Sequence, residues 1–344
     1  MSRLRIAVIG AGMAFEPHAR VLLELQDRIE LACVVCRTAE KRDAVLARFG
    51  FATAGSVAEV AGDPAIDAAI VLTPPASHLE VVRALAESGK HILLEKPLEV
   101  SVDAARAVVD VCEQNKVFLG VVLQHRFRRA AAELHKLVTT GALGALQAVF
   151  VSIPWWRPQS YYDEPGRGTY ARDGGGVLLT QAIHTIDLVQ YLAGPVQEVY
   201  AHALTSAVHR MEAEDLVAAT LKFAGGAVGT LAATTACYPG YSEQIRIIGE
   251  KGSACLEGDT LQVALLDGTT LAFGAAGVLG GGADPMAFSH ATHKALIEHF
   301  AHSVAENVQP VPGGREALAV QLLIDAMLQS ARKGAAVRID GVAP

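Results

Sequence analysis

The alternation of short apolar runs with helical patterns over residues 4–122 leaves this chain little choice of fold. The runs 4–9, 29–35, 68–72, 92–94 and 118–122 are largely apolar, and 92–94 is apolar on both faces, as a strand covered by helices on either side must be. Helical patterns at 40–49, 57–61, 78–88 and 102–115 separate the later runs, with short links. Parallel strands require such crossovers, so the expected class is α/β, with a doubly wound parallel sheet over residues 1–123. In such sheets ligands bind beyond the carboxyl ends of the strands.

Those strand ends carry usable chemistry. The first run stops at Gly10-Ala11-Gly12, with Met13 and Ala14 leading into a helix. The first glycine permits the tight turn, and the second lets backbone N–H groups approach a pyrophosphate on the helix N-terminus. Phe15 stands where the third glycine of that fingerprint falls. A later run ends in Thr73-Pro74-Pro75 with His78 behind it, and the next in Glu95-Lys96-Pro97. Proline stops the ladder there and leaves a carboxylate and an ammonium where a ligand is held. The second run ends in Cys36-Arg37-Thr38. An NAD site has a carboxylate at this point for the ribose hydroxyls, which Cys36 cannot replace. Arg37, Thr38 and Lys41 suit a 2′-phosphate, so NADP is preferred over NAD.

After residue 122 the pattern changes. Gln124 to Arg129 form a polar, basic connector, a helix is expected at 128–140 and a strand at 146–153. The long loop 154–173 holds both tryptophans, Trp155 and Trp156, with Arg157, Tyr161, Tyr162, Arg167 and Tyr170. Trp and Tyr beside Arg suit stacking on a ring or a sugar face. Gly174–Gly176 opens a helix through about Leu192, placing Thr180 and His184 one turn apart on one face. From 196 to about 273 apolar and polar residues alternate between turns, which predicts an antiparallel sheet. A flexible loop is expected at 274–282, helices at 293–306 and 315–333, and an edge strand at 337–339. The second domain is thus α+β, residues 124–344, with an open-faced sheet and a C-terminal segment able to pack back on the first domain. The open apolar face is expected to be covered by another copy, in a homodimer or homotetramer.

Composition excludes several classes of function. A net charge of −7 without a basic stripe argues against nucleic acid as a partner. No apolar run reaches membrane-spanning length, and the N-terminus enters a strand at once, so the expected location is cytoplasmic. The five cysteines are too few and scattered for a disulfide framework. Cys33 and Cys36 would lie on opposite faces of a strand, and the twelve histidines show no metal-ligand spacing, so no metal is expected.

Taken together, Gly10-Ala11-Gly12 with His18, Thr73-Pro74-Pro75 with His78, Glu95-Lys96-Pro97, Gln124-His125-Arg126-Phe127, and Gly174-Gly175-Gly176 followed by His184 and Asp187 resemble the Gfo/Idh/MocA oxidoreductases. The resemblance spans nearly the whole chain. It implies a Rossmann domain and NAD(P)-dependent hydride transfer at a secondary hydroxyl or ketone of a sugar, cyclitol, nucleotide sugar or related polyol. It also implies Lys96 and His184 as catalytic residues, with Thr180 standing where the family often has Asp. Gly10, Gly12, Met13, Ala14, Cys36, Arg37, Thr38, Thr73, Pro74, His78, Glu95, Lys96 and Gln124 are then expected at the cofactor. Lys96, Arg126, Trp156, Arg157, Tyr162, Arg167, Thr180 and His184 are expected at the substrate. Two readings compete with a dehydrogenase: an NADP-binding sensor without turnover, favoured by Thr180, and a lyase or glycosidase that uses bound nicotinamide transiently.

Overall fold

The computed structural model describes residues 3–274 and 290–339, so the loop expected at 274–282 lies outside the described residues beyond Gly274. The chain divides into two compact units, Met1–Leu123 with Ser289–Leu318 and Gln124–Phe288 with Ala319–Pro344.

In the first unit the strands are β1 (Leu4–Ile9), β2 (Ile29–Val35), β3 (Thr53–Ala54), β4 (Ala68–Val71), β5 (His91–Leu94) and β6 (Leu119–Val121). They form one parallel sheet in the order β3-β2-β1-β4-β5-β6, which reverses direction between β1 and β4. That reversal is the topological switch point where such sheets open a crevice for a ligand. The crossovers are α1 (Phe15–Glu24), α2 (Ala39–Phe49), α3 (Val57–Gly62), α4 (His78–Glu87) and α5 (Val102–Gln114). Their starts follow from local chemistry: Thr38, Ser56 and Ser101 each accept a backbone N–H at the N-cap of α2, α3 and α5. Ile6 to Ile9, Ala68 to Val71 and Ile92 to Leu94 are almost fully buried, as strands covered on both faces require.

Phe15 shows how α1 packs without the third glycine. It is buried and meets the Phe49 ring edge-on at 5.5 Å, so an aromatic pair takes the place of close backbone contact.

The second unit begins with a short 3₁₀ turn, Gln124–Phe127, and α6 (Arg129–Thr139). Its sheet comprises β7 (Leu146–Pro154), β8 (Val196–Leu204), β9 (Leu216–Phe223), β10 (Val228–Thr234), β11 (Gln244–Gly249), β12 (Gly252–Glu257), β13 (Thr260–Leu265), β14 (Thr270–Phe273) and β15 (Val337–Arg338). The order is β14-β13-β12-β11-β7-β10-β9-β8-β15, antiparallel throughout except for the central parallel pair of β7 and β10. The loop expected after β7 contains two single helical turns, α7 (Gln159–Tyr162) and α8 (Tyr170–Asp173).

The helix expected from Gly174 to Leu192 is not uniform. It opens with a π-helical turn, Leu178–Ala182, before α9 (Ile183–Ala193). Thr180 sits in the π turn and His184 in α9, so the α-helical spacing assumed for the pair does not hold.

The last helices are α10 (Ala291–Ala305) and α11 (Gly314–Lys333), and α11 runs from one unit into the other. Within the first unit, α10 lays Phe300 against Gly120 of β6, where an added Cβ would come within 3.0 Å of the ring. The following residues extend the sheet edge, since Val121 N donates to Pro312 O at 3.0 Å. No helix among the described residues is long and apolar enough to cross a membrane.

Candidate functional site

In the first unit the site is built at the carboxyl ends of β1, β2, β4 and β5. Gly10 has φ of 100°, a left-handed value that favours glycine, and a Cβ there would press on the Leu72 and Thr73 backbone at 3.2–3.3 Å. Gly12 is exposed, and a Cβ would meet nothing within 4 Å. The backbone before α1 is therefore open to a diphosphate, flanked by Ala14 and a largely exposed Met13. Thr73 adds a buried hydroxyl with no hydrogen-bond partner among the described residues. A buried hydroxyl left in that state fits one that serves a ligand. Pro74 beside it is exposed.

His78 differs from its expected place at the cofactor. It is fully buried, and its ring nitrogens lie 2.8 Å from Thr73 O and 3.1 Å from Pro97 O and Leu98 O. It ties the turn after β4 to the turn after β5 and has no surface left for a ligand. Burial pushes its pKa down, which keeps the ring neutral.

Glu95 follows β5 and faces inward. The Lys96 backbone N–H donates to Oε2 at 3.0 Å, and His18 Nε2 lies 3.2 Å from Oε1. Burial alone would push this carboxyl up. The His18 hydrogen bond and the charges of His18 and Lys96 outweigh it and hold Glu95 at about 2. Glu95 is thus ionised at any working pH, with Lys96 half-buried as the next residue.

At the end of β2, Cys36 is buried, and burial pushes its thiol up, so it offers no charge. Thr38 spends its hydroxyl as the N-cap of α2, whereas Arg37 and Lys41 are exposed. Arg42, absent from the expected set, reaches back from α2 to donate to Cys36 O at 2.9 Å and Arg37 O at 3.2 Å. It holds the strand-end carbonyls and adds a second guanidinium beside Arg37. Its place in the first turn of α2, at a strand end lacking a carboxylate, was the available signal.

The second unit centres on His184. Its ring lies 5.0 Å from that of His125, whose Nε2 accepts from Arg128 at 2.8 Å. Arg128 also pairs with Glu243, which accepts from Trp155 Nε1 at 3.3 Å. This buried network fixes the floor next to His184. Thr180 Oγ1 donates to Gly176 O at 2.7 Å, bracing the π turn. Gln124, at the start of this unit, has a buried Oε1 with no partner among the described residues.

The last of the three glycines before the π turn has a specific cause in Glu214. A Cβ on Gly176 would fall 1.8 Å from Glu214 O, and the Glu214 carboxylate accepts from the N–H groups of Gly176 and Leu178 at 3.1–3.3 Å. Burial pushes this carboxyl up despite those bonds. Glu214 thus anchors the segment that carries His184, and no motif in the sequence singled it out.

Several residues expected at a substrate are engaged in packing. Arg126 is buried and makes a two-pronged bond to Asp187 at 2.6 and 2.8 Å, with its guanidinium 4.5 Å over the Tyr191 ring. That geometry locks α9. Arg157 is 2% exposed, donates to Gln181 at 2.9 Å and lies between Trp155 and Tyr161. Tyr162 is buried against Thr235 at 2.7 Å, and burial pushes its hydroxyl up to about 12. Arg167 pairs with Glu164 and stacks on Tyr161 at 4.1 Å. Trp156 is half-buried, edge-on to the exposed Tyr238 at 5.4 Å. Beneath it His209 binds Asp215 at 2.7 Å and Arg157 O at 2.8 Å, a support that the sequence did not reveal.

The family model described as oxidoreductase family, NAD-binding Rossmann fold matches residues 4–123, and the GFO/IDH/MocA C-terminal domain model matches residues 131–255. The chain belongs to the Gfo/Idh/MocA family. Among curated relatives, an uncharacterized oxidoreductase, YrbE of Bacillus subtilis, is 29% identical over 213 residues, 60% of each protein. The myo-inositol 2-dehydrogenase of Thermotoga maritima is 28% identical over 254 residues, 72% of this chain and 74% of the relative. Among solved structures, the WlbA dehydrogenase of Bordetella pertussis in complex with NADH and UDP-GlcNAcA superimposes with a TM-score of 0.83. It shows 29% identity over 98% of this chain and 99% of that one. As in other Gfo/Idh/MocA proteins, this chain's first unit is an NAD-binding Rossmann domain.

Proposed function

We propose that this Gfo/Idh/MocA protein is a dehydrogenase that exchanges a hydride between a nicotinamide cofactor and a secondary hydroxyl or ketone of a polyol. The observation that carries the reading is the ionised Glu95 with Lys96 at the end of β5, in a sheet whose glycine turn and unpartnered Thr73 hydroxyl leave room for a dinucleotide. Gly10, Gly12 and the start of α1 hold the diphosphate, with the Thr73 hydroxyl placed to donate beside it. The nicotinamide, when bound, supplies the hydride acceptor. Lys96 donates a hydrogen bond to the reacting oxygen and to the cofactor ribose, and an ammonium there stabilises developing alkoxide most where water is excluded. His184 takes the hydroxyl proton, a task suited to an imidazole near neutral pH. Arg126, Gln181 and Glu214 act through position, by fixing the helix on which His184 stands.

Two features support NADP over NAD: the absence of a carboxylate at Cys36, and the guanidinium groups of Arg37 and Arg42 with Lys41 beside it. The relative's complex contains NADH, which sets the alternative. Comparing kcat/KM for the two cofactors tests this. The double change Cys36→Asp with Arg37→Ala is expected to move preference toward NAD by about 1–3 kcal/mol, the scale of a lost charge-assisted hydrogen bond. A wild-type enzyme already favouring NAD would overturn it. For substrate class, Trp156 with Tyr238 presents aromatic faces suited to a sugar or cyclitol ring. The named relatives, acting on an inositol or bound to a nucleotide sugar, bracket the panel to be screened. The exposed row of the second sheet supports a homodimer or homotetramer.

A further inference from the structure

One side-chain cluster in the first unit joins Glu95 to residues far from it in sequence. His18 of α1, Glu95 after β5 and His293 of α10 each offer a ligand atom, and the three atoms lie within 4.8 Å of one another. It is the one such group of histidine, cysteine and carboxylate ligands among the described residues. The His18 Nε2 to Glu95 Oε1 separation is 3.2 Å. That is close to the roughly 3.4 Å between neighbouring ligands on a tetrahedral ion with bonds of about 2.0–2.1 Å. The His18 and His293 rings meet edge to face at 5.4 Å.

A further observation points to a ligand. His293 Nδ1 is buried without a hydrogen-bond partner among the described residues, and His18, whose Nε2 faces Glu95, is 0% exposed. Histidines present only for packing normally have their nitrogens satisfied.

We propose that His18, Glu95 and His293 form a binding site for one divalent cation of the zinc type, whether or not the protein transfers hydride. Two imidazoles and a carboxylate suit zinc, cobalt or nickel; magnesium and calcium seek oxygen ligands throughout. The Lys96 ammonium next to Glu95 opposes any cation, so retention depends on strong bonds to imidazole nitrogen. Three protein ligands leave a fourth position for water. Sequence spacing conceals such a set, because its members come from α1, the turn after β5 and α10.

Cobalt titration of the untagged, chelator-stripped full chain tests the site. One equivalent of Co²⁺ is expected to give the visible absorption of four- or five-coordinate cobalt, which Zn²⁺ then displaces. His293→Ala and His293→Gln, each confirmed folded by circular dichroism, should weaken binding at least about tenfold. No visible band in the wild type, or a band unchanged in both variants, would overturn the proposal.

Discussion

Lys96 and His184 carry the most direct consequences at the scale of the residue. Lys96→Met keeps the length of the side chain and removes the charge, so kcat should fall by about a hundredfold or more while the circular dichroism spectrum stays unchanged. Turnover within a few-fold of wild type would remove Lys96 from the reaction. Thr180 stands one position before Gln181 in the π turn and donates to Gly176 O, so its hydroxyl supplies no negative charge to His184. Thr180→Asp introduces one, which favours imidazolium and should move the acid limb of the pH-rate profile to higher pH; an unmoved limb means the two side chains do not communicate. Glu95 and Lys96 could be singled out from sequence because a polar pair ends an apolar strand, whereas His184 stood out only through the resemblance to the family motif. Arg126 could not be read that way. Nothing local distinguishes an arginine that meets a ligand from one whose guanidinium is bound by a carboxylate on a later helix, as Asp187 binds it.

Among the elements, the π turn and its anchor show where reading by period stops. A helical pattern over 174–192 is correct in kind, but one extra residue in a turn changes which side chains share a face without altering the apolar spacing noticeably. The cause lies in Glu214, whose backbone and carboxylate occupy the space a Cβ on Gly176 would need. Gly176→Ala is therefore expected to destabilise the protein by roughly 3 kcal/mol, measured by denaturant unfolding, because backbone must move to admit the methyl. A loss below 0.5 kcal/mol would show that the segment yields freely, by the ordinary scale of neutral substitutions. Helix α5 offers a pH test. Burial first, and the Glu113 charge second, push the Cys112 thiol from 9.0 up to about 12. The folded state holds this proton more tightly than the unfolded chain, so its contribution is whole below pH 9 and is lost as pH rises through 12. Three pKa units correspond to about 4 kcal/mol at most. Cys112→Ala should flatten the alkaline fall in stability relative to wild type, and parallel curves would contradict the burial account.

For the whole molecule, the division into a doubly wound parallel unit and an open-faced sheet was legible because the two halves obey different grammars of alternation. A C-terminal segment able to pack back on the first domain was legible, but not that α10 would lie against β6, since the apolar residues of a helix do not say which sheet they cover. The outer row of the second sheet keeps Phe150, Tyr200, Val228 and Ile248 at 37–58% exposure, a face that a second copy would cover. Phe150→Asp with Val228→Glu should shift the mass measured by light scattering toward the monomer; an unchanged oligomer would place the interface elsewhere. The central claim is that this constellation moves hydride, and one assay bears on it most directly. The purified protein is mixed with NAD or NADP and a panel of cyclitols, free sugars and nucleotide sugars, and nicotinamide absorbance is followed. A substrate-dependent rise in reduced cofactor, abolished in Lys96→Met although that variant still binds the cofactor, is the result expected. Cofactor bound tightly by the wild type, with no member of the panel oxidised and no corresponding ketone reduced, would contradict it.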